Sequence, residues 1–154
     1  MTELRYLALP TEEVEALRAG RPDAYGMVPE RTVSDGAGNP CRHCLRMIPE
    51  GAGMLILAHR PFPGPGPYAE TGPIFLCAEA CDRHDEAAPP ACLRFDPLVK
   101  AYLANDRIHY GTGAVIPAAD LPARCAELLS DPRNAYVHVR SGRNNGCQFR
   151  VERA

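Results

Sequence analysis

The spacing of apolar and polar positions changes several times along the chain. Residues 3 to 9, "ELRYLAL", alternate and predict a strand. "PTEEVEALRAG" from 10 to 20 predicts a short helix, with Thr11 as its cap, glutamates in its first turn and Gly20 past its end. Arg21 to Pro40 is loop-forming, with a short strand expected around Glu30 to Ser34. "MLILAHRPF" predicts an apolar strand that stops at Pro61, and "IFLCAEAC" predicts another. The intervening "PFPGPGPYAETGP" cannot be a helix or a central strand, because proline removes ladder donors and glycine costs entropy. It predicts a long surface loop, a usual place for function.

Further on, "LVKAYLAND" predicts a helix ending near Asn105, and "RIHYGTGAVIP" a hairpin or bent strand broken by Gly111 and Gly113. "AADLPARCAELLSDP" predicts another helix, in which Pro122 is tolerable only near the start. "NAYVHVRS" and "CQFRVER" alternate on either side of "GRNNG", a strong hairpin pattern. The total is about six short strands and three helices. It describes an α+β protein, a single domain over residues 1–154, with a mainly antiparallel or mixed sheet.

Composition narrows the classes. At 154 residues the chain has the length of one domain, enough to bury roughly 70% of its unfolded surface. Sixteen prolines fit many short elements joined by structured loops. A net charge of -2 gives no general attraction to nucleic acid or to an anionic membrane. The longest uninterrupted apolar runs span five residues, too few to cross a bilayer. No basic region followed by an apolar stretch opens the chain, so a soluble cytoplasmic protein is expected.

Seven cysteines without an export signal favour metal binding or catalysis over a disulfide framework. Cys125, within a helical stretch, is better read as a small buried hydrophobe. The others include the pattern C-x2-C-x32-C-x3-C, formed by Cys41, Cys44, Cys77 and Cys81. Zinc takes four ligands at tetrahedral corners, and thiolates two or three residues apart reach one ion from one turn. Asn39-Pro40 supplies the turn that the first pair needs. The second pair carries a condition: four positions apart on a continuing strand, its members would stand about 13 Å apart at ~3.3 Å per residue. They share an ion only if the chain turns after Ala78. His43, His84 and Cys92 are the substitutes for a fourth ligand if it does not. A redox role for Cys41-x-x-Cys44 is disfavoured, because "LRMI" before Pro49 is too little helix to activate a thiol.

Three stretches together, "PCRHCL" at 40 to 45, "RPF…YAETGPIFLCAEAC" at 60 to 81 and "YVHVRSGRNNGCQFRV" at 136 to 151, resemble the bacterial family catalogued as domain of unknown function 1203. The resemblance covers nearly the whole chain. It implies a small stand-alone bacterial protein and no assigned activity. The family pattern places a histidine where this chain has Cys77, and zinc accepts either imidazole or thiolate. That exchange favours coordination over general-base chemistry at this position.

Tyr136, His138 and Arg140 share one face of a predicted strand, with valines on the other, so the polar trio is expected to face solvent or a cleft. With Arg143, Asn144 and Asn145 of the adjoining turn they compose an anion or carboxylate site, since arginine offers a planar fork of donors. A solvated strand face with plain turn chemistry is the simpler reading. Tyr68 and Glu70 ride the proline-glycine loop. The expectation is a binding module stabilised by a structural zinc. It would take a small anionic ligand or a protein through the 61–71 loop and the Tyr136 to Asn145 hairpin. Its rivals are an enzyme using His138 as acid or base with Arg140 orienting an anionic substrate, and a nucleic-acid-binding module, which the charge disfavours. A membrane partner is not expected.

Overall fold

A computed structural model describes residues 2–154. The chain divides into two compact units, one spanning Ala8–His84, the other joining the segment that ends at Leu7 to Asp85–Ala154. Among the described residues there are eight strands and two α-helices, with antiparallel pairing throughout both sheets. This is the expected α+β class. No helix among them is long and apolar enough to cross a membrane.

The Ala8–His84 unit holds helix α1 (Thr11–Arg18) and a three-stranded sheet ordered β2-β3-β4, from β2 (Glu30–Val33), β3 (Gly53–His59) and β4 (Gly72–Cys77). Its core gathers Val14 and Leu17 of α1 with Leu55, Leu57, Ile74 and Leu76 of the sheet and with Cys41 and Ile48. Helix α1 begins differently from expectation. Pro10 occupies the cap position with no side-chain cap bond, and Thr11 is the first helical residue, its hydroxyl turned elsewhere.

The other unit is a five-stranded sheet ordered β1-β8-β7-β5-β6: β1 (Leu4–Leu7), β5 (Pro97–Leu103), β6 (Ala114–Val115), β7 (Asn134–Ser141) and β8 (Cys147–Arg153). A 3-10 turn (Ala118–Asp120) leads into α2 (Leu121–Ser130), with Pro122 tolerated at the helix start. Two apolar rows cross the sheet, Val99–Val139–Phe149 and Ala101–Val137–Val151–Tyr6, and α2 buries Leu121, Cys125, Leu128 and Leu129. The α2 stripe repeats at helical spacing and packs on this sheet, chiefly over β7.

The helix expected at "LVKAYLAND" is strand β5 instead. Leu98, Ala101 and Tyr102 fit a helical stripe, but Pro97, Val99 and Ala101 bury at period two, and pairing with β7 over the whole length decides for the strand. Pro97 stands at its first residue, where a ladder donor is least needed. In the expected hairpin at 107–117 only Ala114–Val115 pairs as a strand, and Ile108 makes an isolated bridge to Tyr102.

Candidate metal centre

The first half of the centre is a knuckle. Pro40 bridges Met47, the Cys41 amide donates to the Arg46 carbonyl at 2.9 Å, and the Leu45 amide donates to the Cys41 carbonyl at 2.9 Å. Closing so tight a turn puts Leu45 in the left-handed region, at φ 53°. Most L-residues avoid that conformation. Leu45 accepts it with its side chain fully buried, at 0% exposure. The knuckle docks beside β4, where the Arg42 amide donates to the Phe75 carbonyl at 3.0 Å.

The second half depends on the turn that the cysteine spacing required. β4 ends at Cys77, and the Ala78 amide makes a last bond to the Gly53 carbonyl at 3.0 Å before the chain leaves the sheet. Gly53 permits this approach, since a Cβ there would lie 3.2 Å from that of Ala78. Arg18, the last residue of α1, then straps the turn. Its Nε donates to the Cys77 carbonyl at 2.9 Å and its Nη2 to the Cys81 Sγ at 3.2 Å.

The result is four sulfurs, of Cys41, Cys44, Cys77 and Cys81, all within 4.8 Å of one another. The Cys41 and Cys81 sulfurs are 3.9 Å apart, far beyond the ~2.05 Å of a disulfide. A tetrahedron with metal–sulfur bonds of about 2.3 Å has edges of about 3.8 Å. The cluster could therefore hold a metal ion. Cys41 is fully buried and the other three half-buried.

Backbone and side-chain donors converge on the sulfurs. Cys41 Sγ accepts the amides of His43, at 3.4 Å, and Cys77, at 3.3 Å. Hydrogen bonds with the Cys44 and Cys77 thiols, then those from backbone amides, hold the Cys41 thiol well below its ordinary range. The hydrogen bond to Cys41 pushes Cys44 up to about 12, and those to Cys41 and Cys44 drive Cys77 higher still. Cys81 is raised by burial and then by the charge on Cys41, while Arg18 pulls the other way. A negative charge on one sulfur thus opposes a charge on its neighbours, as like charges at close range do.

The alternative ligands stand outside the four-sulfur group. His43 lies behind it, with Nδ1 3.1 Å from Cys81 Sγ and Nε2 2.9 Å from Thr11 Oγ1. Burial pushes its imidazole below the ordinary 6.5, which favours the neutral ring. His84 donates its amide to the His43 carbonyl at 2.9 Å, and Cys92 belongs to the other unit. Thr11 reads from sequence only as a helix cap and Arg18 is not singled out there, since nothing in local spacing connects either to cysteines more than 20 positions away.

The remaining candidates fall in two places, the loop between β3 and β4 and the β7–β8 hairpin. Tyr68 and Glu70 lie on the loop between β3 and β4. The trio on β7, expected to face solvent or a cleft, is buried from solvent: Tyr136, His138 and Arg140 are 2%, 1% and 2% exposed. Strand alternation fixes the side on which a residue projects and says nothing of what covers that side. Tyr136 stacks on Tyr102 with ring centroids 5.1 Å apart, and its hydroxyl donates to Asp106 at 2.9 Å. Arg140 Nη2 lies 3.3 Å from His138 Nδ1, and Nη1 donates to the Asn145 carbonyl at 3.3 Å. Arg143, exposed, stacks its guanidinium over Phe95 at 3.8 Å. The amides of Arg143 and Asn144 donate to Ser141 Oγ, and Asn145 takes φ 60°, so this loop is ordinary turn chemistry.

No curated protein and no solved structure matches the chain. Residues 38–153 match the family described as a protein of unknown function, DUF1203, a span that includes all four clustered cysteines. The resemblance carried by the three sequence stretches therefore holds, and the chain belongs to the DUF1203 family.

Proposed function

We propose that the chain is a binding protein whose Ala8–His84 unit is held together by a structural zinc ion on Cys41, Cys44, Cys77 and Cys81. The convergence of four sulfurs within 4.8 Å carries this reading. Soft thiolates in a tetrahedral set suit zinc over hard cations, which take oxygen ligands. Four protein ligands fill the coordination sphere and leave no place for the water that a catalytic zinc activates. A zinc hydrolase is for that reason disfavoured. Seven free thiols suit a reducing compartment such as the cytoplasm.

The test is chelation followed by hydrogen exchange. Removing the metal is expected to expose amides throughout Ala8–His84, because the ion fixes segments separated by 32 residues. Full retention of protection after complete chelation would end the structural reading.

A small anion is the ligand class favoured for the other unit. Lys100, His138 and Arg150 occupy one row across β5, β7 and β8, with Arg140 beside His138. Arg150 is half-buried, pairs with Glu152 at 2.8 Å and still offers the planar fork of donors that suits an anion. Saturable binding of inorganic phosphate, weakened by Arg150→Gln, is the expected result. Absence of saturable binding would remove this part of the proposal, and salt-sensitive retention on nucleic acid would favour that partner instead.

A further inference from the structure

The residues around Cys81 form a relay that ends on helix α1. Thr11, at the first turn, meets His43 Nε2 at 2.9 Å, and His43 Nδ1 meets Cys81 Sγ at 3.1 Å. Arg18, at the last turn, meets the same sulfur at 3.2 Å and the Cys77 carbonyl at 2.9 Å. Both ends of one helix are thus tied to one sulfur of the cluster. A coordinated thiolate has no proton to give, so Nδ1 must donate to it, and a neutral ring then accepts the Thr11 hydroxyl proton on Nε2. Arg18 brings a positive charge to a four-thiolate centre that retains a formal excess of negative charge around a divalent ion.

Helix α1 has eight residues and only two buried apolar anchors, Val14 and Leu17. Helices this short are marginal on their own and depend on tertiary contacts. Its polar contacts to the cluster are therefore a large part of what fixes it.

Resting on the zinc reading above, we infer that Thr11, Arg18 and His43 are positioning residues of the metal centre, so that loading the ion docks helix α1 and removing it releases the helix. Cys81 is the point of coupling. Its negative charge when coordinated is what Arg18 and His43 recognise, and a helix with one face tied to the ion reports whether the ion is present.

The experiment compares wild type with Arg18→Met, which keeps an apolar stem, with His43→Ala, and with His43→Asn, whose side-chain amide restores a donor near the Nδ1 position. Each is loaded with zinc for chelator competition and exchange measurements, and with cobalt(II) for thiolate-to-metal charge-transfer spectra. Arg18→Met and His43→Ala are expected to bind one ion, roughly 10- to 100-fold more weakly, as loss of groups bonded to ligands typically does. Their charge-transfer bands are expected to shift, and amides 11–18 to exchange faster in the loaded protein. His43→Asn is expected to recover affinity and spectrum in part. Thr11→Val, which keeps shape and removes the hydroxyl, serves if the alanine variant does not fold, with the same shift in smaller measure. Loaded variants with wild-type affinity, spectra and exchange would overturn the inference and leave the zinc reading standing. So would weaker binding without a spectral shift and without rescue by asparagine, since that is the pattern of general destabilisation. Wild-type protein that binds no metal would overturn both.

Discussion

Replacing Leu45 by glycine and by alanine separates two opposing effects at the knuckle. Leu45 is held at φ 53° while its side chain is fully buried. Truncating a buried leucine to alanine costs about 2–5 kcal/mol in lost burial and residual cavity, and alanine keeps the backbone strain. Glycine removes a left-handed penalty of about 1–2 kcal/mol for an L-residue. Against that it loses the Cβ, worth about 0.8 kcal/mol if buried, and gains about 0.4–1 kcal/mol of unfolded-chain entropy. These further effects nearly cancel. Both variants are expected to be about 2–5 kcal/mol less stable than wild type, and to lie within about 1 kcal/mol of each other. At an ordinary right-handed helical site glycine falls about 1 kcal/mol below alanine from propensity alone, before any loss of Cβ burial. The assay is urea denaturation at one fixed free zinc concentration, because a ligand that binds the folded state shifts the midpoint. Variants within 0.5 kcal/mol of wild type, roughly the range of ordinary surface substitutions, would refute the packing argument. A glycine variant more than about 2 kcal/mol below alanine would refute the strain argument, since propensity and Cβ loss together would then act without relief.

Two further outcomes follow from the same geometry. Burial, with the charges of Arg42 and Arg60, pushes His59 from 6.5 down to about 4, so the fold holds it neutral where the unfolded chain protonates it. Its contribution is intact above pH 6.5 and is lost as pH falls towards 4, at up to about 1.4 kcal/mol per unit, and His59→Gln should flatten that slope in urea melts taken across the window. At the metal, Cys77→His should retain one ion per chain, because imidazole replaces thiolate as a zinc ligand, whereas Cys77→Ala should weaken binding by more than the roughly 100-fold seen for groups outside the ligand set. Chelator competition checks both, and equal losses in the two variants would argue against coordination by residue 77.

Spacing along the chain carried much of this centre and little of its support. Cys41 and Cys44 with Asn39-Pro40 ahead of them specify a local turn, and local turns are written in adjacent residues. The approach of Cys81 to Cys77 is a different matter. It needs Gly53 on another strand to admit Ala78 and Arg18 on a helix to strap the turn, both long-range contacts. The strands at 53–59, 72–77, 134–141 and 147–153 were readable because their apolar runs end at proline, glycine or turn residues. "LVKAYLAND" was not, because a stripe that fits both periods is settled only by its partner strand. The buried polar trio on β7 marks the same boundary: period two assigns Tyr136, His138 and Arg140 to one side, and only tertiary structure sets how deeply that side is buried.

X-ray absorption at the metal edge of protein purified without added metal tests the central claim most directly. The expected spectrum is that of zinc, one per chain, with four sulfur neighbours at about 2.3 Å and no nitrogen or oxygen in the first sphere. A metal-free protein, or an ion with fewer than four sulfur neighbours, would contradict the account.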